Sequence, residues 1–189
     1  MFELIADLEC DGFGYYLAGL IDGEGSFIIA RKERGYHAVM RMKLRDDDAA
    51  ILYECQRRTG LGRVFPEKVY AATGRDVRNV HPQMVWAVHS KADVAKLVLI
   101  LQCFPLRAKK RTDFEIWCLA VREWITKRRY GGWETLEALR LQLIARRGYE
   151  ASEDDPDSKP APVLHLQPSL EGMSDAGTGT RTEGLGPAP

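Results

Sequence analysis

The sequence has no run approaching ~18 apolar residues, which excludes a hydrophobic membrane-spanning helix. Cysteine is sparse: Cys10, Cys55, Cys103 and Cys118 are scattered, with no C-x-x-C pair and no histidines at ligand spacing, which argues against a zinc site. Cys55, Cys103 and Cys118 each sit among apolar residues in a helical pattern and are expected to be small buried hydrophobes in a reducing compartment. The start, MFELIADLEC, lacks the basic residues and long apolar stretch of a signal peptide. The expectation is a soluble, intracellular protein, of the cytoplasm or nucleoid of a prokaryote rather than an organelle.

Net charge is also missing, with 27 basic residues balancing 27 acidic ones. The balance conceals an asymmetry. Residues 1–150 hold 25 Lys and Arg against 20 Asp and Glu, a net +5, and residues 151–189 hold 2 against 7, a net −5. A mildly basic body suits a polyanionic partner. The remainder, rich in Pro, Gly, Ser and acids and nearly free of aromatics, is expected to be a disordered tail over 151–189 beside one ordered domain over 1–150.

Within the ordered part the hydrophobic period switches repeatedly. A short helix is expected from Gly14 to about Gly23, then strands SFIIARKER and HAVMRMKLR, then a helix from Asp46 to Thr59. Arg63 to Glu67 and QMVWAVHS read as two further strands around a loop rich in Gly, Arg and Asn. Helices follow from Ala92 to Cys103, from about Thr112 to Lys127, where Phe114, Trp117, Cys118, Val121, Trp124 and Ile125 form a buried stripe, and from Trp133 to Arg146. The order α-β-β-α-β-β-α with extra C-terminal helices predicts an α+β fold, an antiparallel sheet with helices packed on one face.

Strand alternation shows what the other face carries. Met40, Met42 and Leu44 point to the core and Arg41, Lys43 and Arg45 away from it, three cations with no acid between them. By the same rule Phe27 and Ile29 are core, with Ser26, Ile28, Ala30, Lys32 and Arg34 open. Met84, Trp86 and Val88 are core, with Gln83, Val85, Ala87 and His89 open. Such a row suits DNA phosphates, and a two-stranded ribbon fits the major groove. Arg63 and, from the loop, Arg75 and Arg78 extend the candidate DNA surface. A second basic cluster, Lys109, Lys110 and Arg111, crowds a helix start, where the dipole disfavours cations; a bound anion accounts for the placement.

The stretch LAGLIDGEGSF carries the sharpest pattern. Gly19 and Gly23 are four apart, as are Ala18 and Asp22, so one helix face is nearly bare and a second helix can approach closely. With no second copy in the chain, the expected partner is the same helix of another molecule, across a two-fold axis. Asp22 and Glu24 lie at the helix end that disfavours negative charge. Asp22 is expected to hydrogen-bond locally, and Glu24, with the carbonyl of Gly23, to offer hard oxygens suited to Mg²⁺. Two such acids across a two-fold axis, with metals between them, suit phosphodiester hydrolysis.

LAGLIDGEGSF resembles the signature of the LAGLIDADG homing endonucleases, with Gly23 and Glu24 where its nine-letter namesake has alanine and aspartate. RDDDAAILYECQRRTGLG and FPLRAKKRTDFEIW extend the resemblance over roughly residues 14 to 125. The resemblance implies a dimer interface on the motif helix, catalytic metal at Glu24 and the Gly23 carbonyl, and a saddle-shaped sheet on the DNA major groove. It also implies an assisting base, Lys110 or Lys109, of which Lys110 fits the K-K-x-x-D-F pattern better. Where many relatives place a water-positioning glutamine, this sequence reads Arg45-Asp46-Asp47-Asp48, so that role is carried by Asp46 or absent. The reading is a homodimeric, Mg²⁺-dependent endonuclease cutting both DNA strands at a long, near-palindromic site. The alternative is a binding protein on the same scaffold, either a degenerate DNA-binding relative or a maturase acting on intron RNA.

Overall fold

Phe27, Ile29, Met40 and Met42, which alternation assigns to one side of the sheet, are all buried, and the helices lie on that side. The computed structural model describes residues 1–33, 35–67, 81–126 and 133–147. These form α1 (Phe2–Cys10), α2 (Phe13–Glu24), β1 (Gly25–Lys32), β2 (Gly35–Arg45), a 3₁₀ turn (Asp46–Asp48), α3 (Ala49–Thr59), β3 (Arg63–Pro66), β4 (Gln83–Val88), α4 (Lys91–Cys103), α5 (Lys110–Thr126) and α6 (Glu134–Arg146). The four strands make an antiparallel sheet in the order β1-β2-β4-β3. The α+β expectation holds. Arg34, Arg75, Arg78 and the expected tail over 151–189 lie outside the described residues, as does the end of the 1–150 domain. Among the described residues no helix is long and apolar enough to cross a membrane.

No element is expected from the sequence before Gly14, yet α1 forms there. Nine residues are too few to hold a helix alone. Leu8 anchors it in the core, while Arg58 of α3 donates to both oxygens of Asp11, at 2.6 and 2.8 Å, and lies 4.6 Å over the Phe13 ring. Asp11 in turn accepts from the backbone N–H of Phe13, at the start of α2.

α2 runs into β1 without a loop. Gly25 makes that junction possible, because a Cβ there would lie 2.7 Å from the Ile21 carbonyl oxygen. Gly62 does the same before β3, with φ of 67° and no room for a Cβ, which would lie 2.3 Å from the Ala87 carbonyl oxygen. The Ser90 side chain accepts from Asp93 N at 3.0 Å and caps α4.

The core joins sheet and helices through Trp86, Trp117, Phe27, Met40 and Met42. Indole N–H groups bond within it: Trp86 Nε1 donates to Leu61 O at 2.8 Å and Trp117 Nε1 to Ile28 O at 3.2 Å. Some expectations need correction. Cys103 is exposed because, with Leu99, it falls on the α4 stripe opposite Leu97, Ile100 and Leu101. Ile125 is exposed, and Ile116 and Ala120 complete the α5 stripe instead. Cys55 is buried and Cys118 partly so, and burial pushes both thiols up to about 12.

Candidate functional site

The last turn of α2 places three neighbouring residues in different settings. Asp22 turns toward the segment between α4 and α5, where its Oδ2 accepts from the backbone N–H groups of Arg107 at 2.7 Å and Ala108 at 3.1 Å. Its partners are therefore some 85 residues away in sequence rather than local, as expected from the sequence. Those two N–H groups offset the unfavourable charge at the helix C-terminus. The other oxygen, Oδ1, is buried and, among the described residues, has no hydrogen-bond partner. Gly23 and Glu24 are exposed.

Lys110 closes the arrangement, its Nζ donating to the Gly23 carbonyl oxygen at 3.0 Å. Burial holds its ammonium below the usual lysine value, against the pull of Glu24, Asp22 and Asp113. Lys110 and Lys109 both line a basin of about 360 Å³ with Gly25 and Ser26 at the start of β1. Asp113, Arg146 and Arg147 complete the lining, whereas Asp46 is not part of it. Asp46 sits in the 3₁₀ turn, with its N–H on Pro82 O, four residues along the chain from Met42, the partner of Gly25. At strand rise that is roughly 13 Å.

The open face of the sheet is ordered in rungs. Ser26, Arg41, Ala87 and Arg63 lie side by side across all four strands; Lys43, Val85 and Phe65 form the next rung, and Arg45 stands opposite Gln83. Ile28 and Ala30 are half-buried on β1 and Lys32 is exposed. Two features depart from expectation. Val85 and Ala87, expected open, are only 2% and 4% exposed although they stand outside the core cluster; on their rungs Ala87 lies between Arg41 and Arg63, and Val85 between Lys43 and Phe65. The cation row is also partly neutralised: Lys43 pairs with Glu67, distant in sequence, and Arg45 with Asp47, two residues along the chain, at 2.9 Å. Among the described residues no ion pair holds Arg41.

On α2, Tyr15, Tyr16, Gly19 and Gly23 are exposed, and a Cβ at Gly19 or Gly23 would meet nothing within 4 Å. This uncovered face is the small-residue face expected from the sequence, with one correction. Ala18 is 4% exposed and packs in the chain's own core, so it cannot belong to a surface for a second molecule.

The donor set at the end of α2 suits a divalent metal of the Mg²⁺ type. An exposed carboxylate and an adjacent exposed carbonyl are hard oxygens, and Mg²⁺ keeps several of its waters. Among the described residues no group of three or more His, Cys, Asp or Glu converges as a metal site.

The structure thus brings together Asp22, Gly23, Lys109 and Lys110, with Glu24 beside them, and leaves Asp46 apart. Sequence reasoning missed Asp113, Arg146 and Arg147. Two arginines at a helix C-terminus sit where the dipole favours cations, so nothing in the local sequence singles them out.

Over residues 17–121 the chain matches the family described as LAGLIDADG endonuclease. A protein of Neurospora crassa named probable intron-encoded endonuclease 3 is 32% identical over 113 residues, covering 56% of this chain and 19% of that protein. The chain therefore spans about a fifth of that curated relative. Among solved structures, an archaeal intron-encoded homing endonuclease complexed with DNA is similar with a TM-score of 0.61 and 21% identity, covering 76% of this chain and 90% of that one. A LAGLIDADG homing endonuclease in complex with its DNA target has a TM-score of 0.58 and 20% identity, covering 86% of this chain and 54% of the other. These structural likenesses carry the fold, and the family match spans more than half of the chain: it belongs to the LAGLIDADG endonuclease family.

Proposed function

We propose that the chain is a site-specific DNA endonuclease that acts as a homodimer with Mg²⁺ and cuts both strands of a long, near-palindromic site. The observation that carries the reading is the continuity of Glu24 with β1: a carboxylate beside the Gly23 carbonyl and Lys110 stands one residue from the first strand of a cationic sheet face. The relatives' names, which include endonuclease, and their complexes with DNA support the same reading.

Each part has a physical task. Arg41 and Arg63, flanking Ala87 on one rung, meet backbone phosphates, while Ser26, Ile28, Ala30, Lys32 and Gln83 face the groove. Glu24 and the Gly23 carbonyl would hold Mg²⁺, which supplies charge stabilisation to phosphodiester hydrolysis when bound. Lys110, tethered to Gly23, keeps a cation where negative charge develops on the phosphate. The uncovered α2 face, with Gly19 and Gly23, receives the second copy, and Asp22 Oδ1, without a partner among the described residues, lies on the same helix end.

The test is cleavage of a duplex carrying the joined genomic sequences that flank the gene, with Mg²⁺ or with EDTA. Mg²⁺-dependent cuts in both strands are expected, with Glu24→Gln leaving the duplex bound but intact. Loss of binding in Glu24→Gln would assign Glu24 to structure instead, and an uncut duplex with the wild type would overturn the enzyme reading.

A further inference from the structure

Two arginines outside the motif share the basin of Lys109 and Lys110. Arg146 ends α6 and Arg147 follows it. Asp113, in the first turn of α5, accepts from Arg146 Nε at 3.1 Å and pairs with Arg147 Nε at 3.6 Å. Arg147 Nη2 also donates to the Phe27 carbonyl oxygen in β1. Asp113 thus meets the Nε of both guanidinium groups, and the strand carbonyl holds Arg147 in addition.

Stability does not call for this arrangement. A single Asp113–arginine pair would tie α6 to α5, and pairs as exposed as Arg146–Asp113 contribute about 0–1 kcal/mol. Instead four cations line the basin against one carboxylate. Their mutual repulsion is relieved by an anion with several acceptor oxygens, and a guanidinium fork matches a phosphodiester in geometry as well as charge. Ser26 lies both in the basin and on the rung with Arg41, so a DNA backbone leaving the open face passes the basin.

We propose that Arg146 and Arg147 bind a backbone phosphate of DNA beside the cleavage centre, and that Asp113 is the positioning residue that sets them there. The proposal rests on the endonuclease reading above and adds α6 to the DNA-contacting surface.

The experiment measures affinity for a mixed-sequence duplex against salt, without divalent metal, for wild type, Arg146→Gln, Asp113→Asn and Asp113→Glu. Arg146→Gln, at an exposed side chain, is expected to lower the log–log slope by about 0.9 for the lost phosphate contact. Asp113→Asn gives a sign test. Removing a negative charge beside a DNA site tightens binding by simple electrostatics, whereas loss of positioning weakens it and lowers the slope, with Asp113→Glu restoring part of both. An unchanged slope in Arg146→Gln, or tighter binding in Asp113→Asn, overturns the proposal while wild-type binding leaves the endonuclease reading standing. A wild type with no salt-dependent binding would remove both.

Discussion

Lys110 donates from Nζ to the Gly23 carbonyl oxygen at 3.0 Å, tying the first residue of α5 to the last turn of α2 beside Glu24. Lys109, its neighbour, lines the same basin but is more exposed. The two lysines should therefore separate in function. Lys110→Gln is expected to lower the single-turnover cleavage rate by about a hundred-fold or more with little loss of DNA affinity. Lys109→Gln should mainly weaken binding and reduce the salt slope by about 1. Equal rate losses in both would refute the assignment.

Gly19 and Gly25, six residues apart, should respond oppositely to added side chains. A Cβ at Gly19 meets nothing in the chain, so Gly19→Leu should leave the monomer's melting temperature nearly unchanged while blocking dimerisation, read as a halved mass by sedimentation. Gly25→Ala forces a Cβ against the Ile21 carbonyl and should cost about 1–3 kcal/mol of stability. A Gly19→Leu protein that still sediments as a dimer would sink the helix-interface reading.

Arg41 and Lys43 are successive outward positions on β2, but among the described residues only Lys43 has an acidic partner, Glu67. DNA must displace that carboxylate before Lys43 can meet a phosphate. Arg41→Gln should thus reduce the salt slope by about 1, and Lys43→Gln by less. A larger effect from Lys43 would show that its pairing with Glu67 is of no consequence.

Tyr36 donates from its hydroxyl to Glu137 at 2.6 Å, and burial together with that carboxylate pushes the phenol up to about 12 from its ordinary 10.0. Its folded-state value lies above the unfolded one, so its contribution to stability is complete below pH 10 and lost as pH rises through about 12. Urea midpoints of wild type should fall across that window. Tyr36→Phe should start about 1 kcal/mol lower at neutral pH and fall less steeply. The Cys55 and Cys118 thiols, also pushed up to about 12, titrate in both proteins and cancel in the comparison.

What the sequence discloses is mostly what depends on periodicity or on a single backbone constraint. Alternation in β1 and β2 assigns Phe27, Ile29, Met40 and Met42 to the core correctly, and the glycine-flanked acids mark the end of α2. α1 is not legible, since Leu4, Ile5 and Leu8 gain a helix only from docking and from Arg58. Ala18 shares the spacing of Gly19, yet a step of one residue rotates it into the chain's own core. The partners of Asp22, Lys43 and Asp113 are all set by tertiary contact, far along the chain or across the sheet, and no local pattern announces them. Burial of Val85 and Ala87, flanked by residues of the neighbouring strands, likewise does not follow from the alternation of β4.

α2 passes into β1 between Glu24 and Gly25 with no intervening loop. If two copies meet along α2, the helix and the strand act as one stiff lever: the angle at which the molecules cross fixes how far apart their first strands enter the groove and where each carboxylate meets its strand. Substitutions on β1 then change which bases are favoured but not the offset between the two cuts. Variation in target preference and constancy of the cut pattern would follow from the same missing loop.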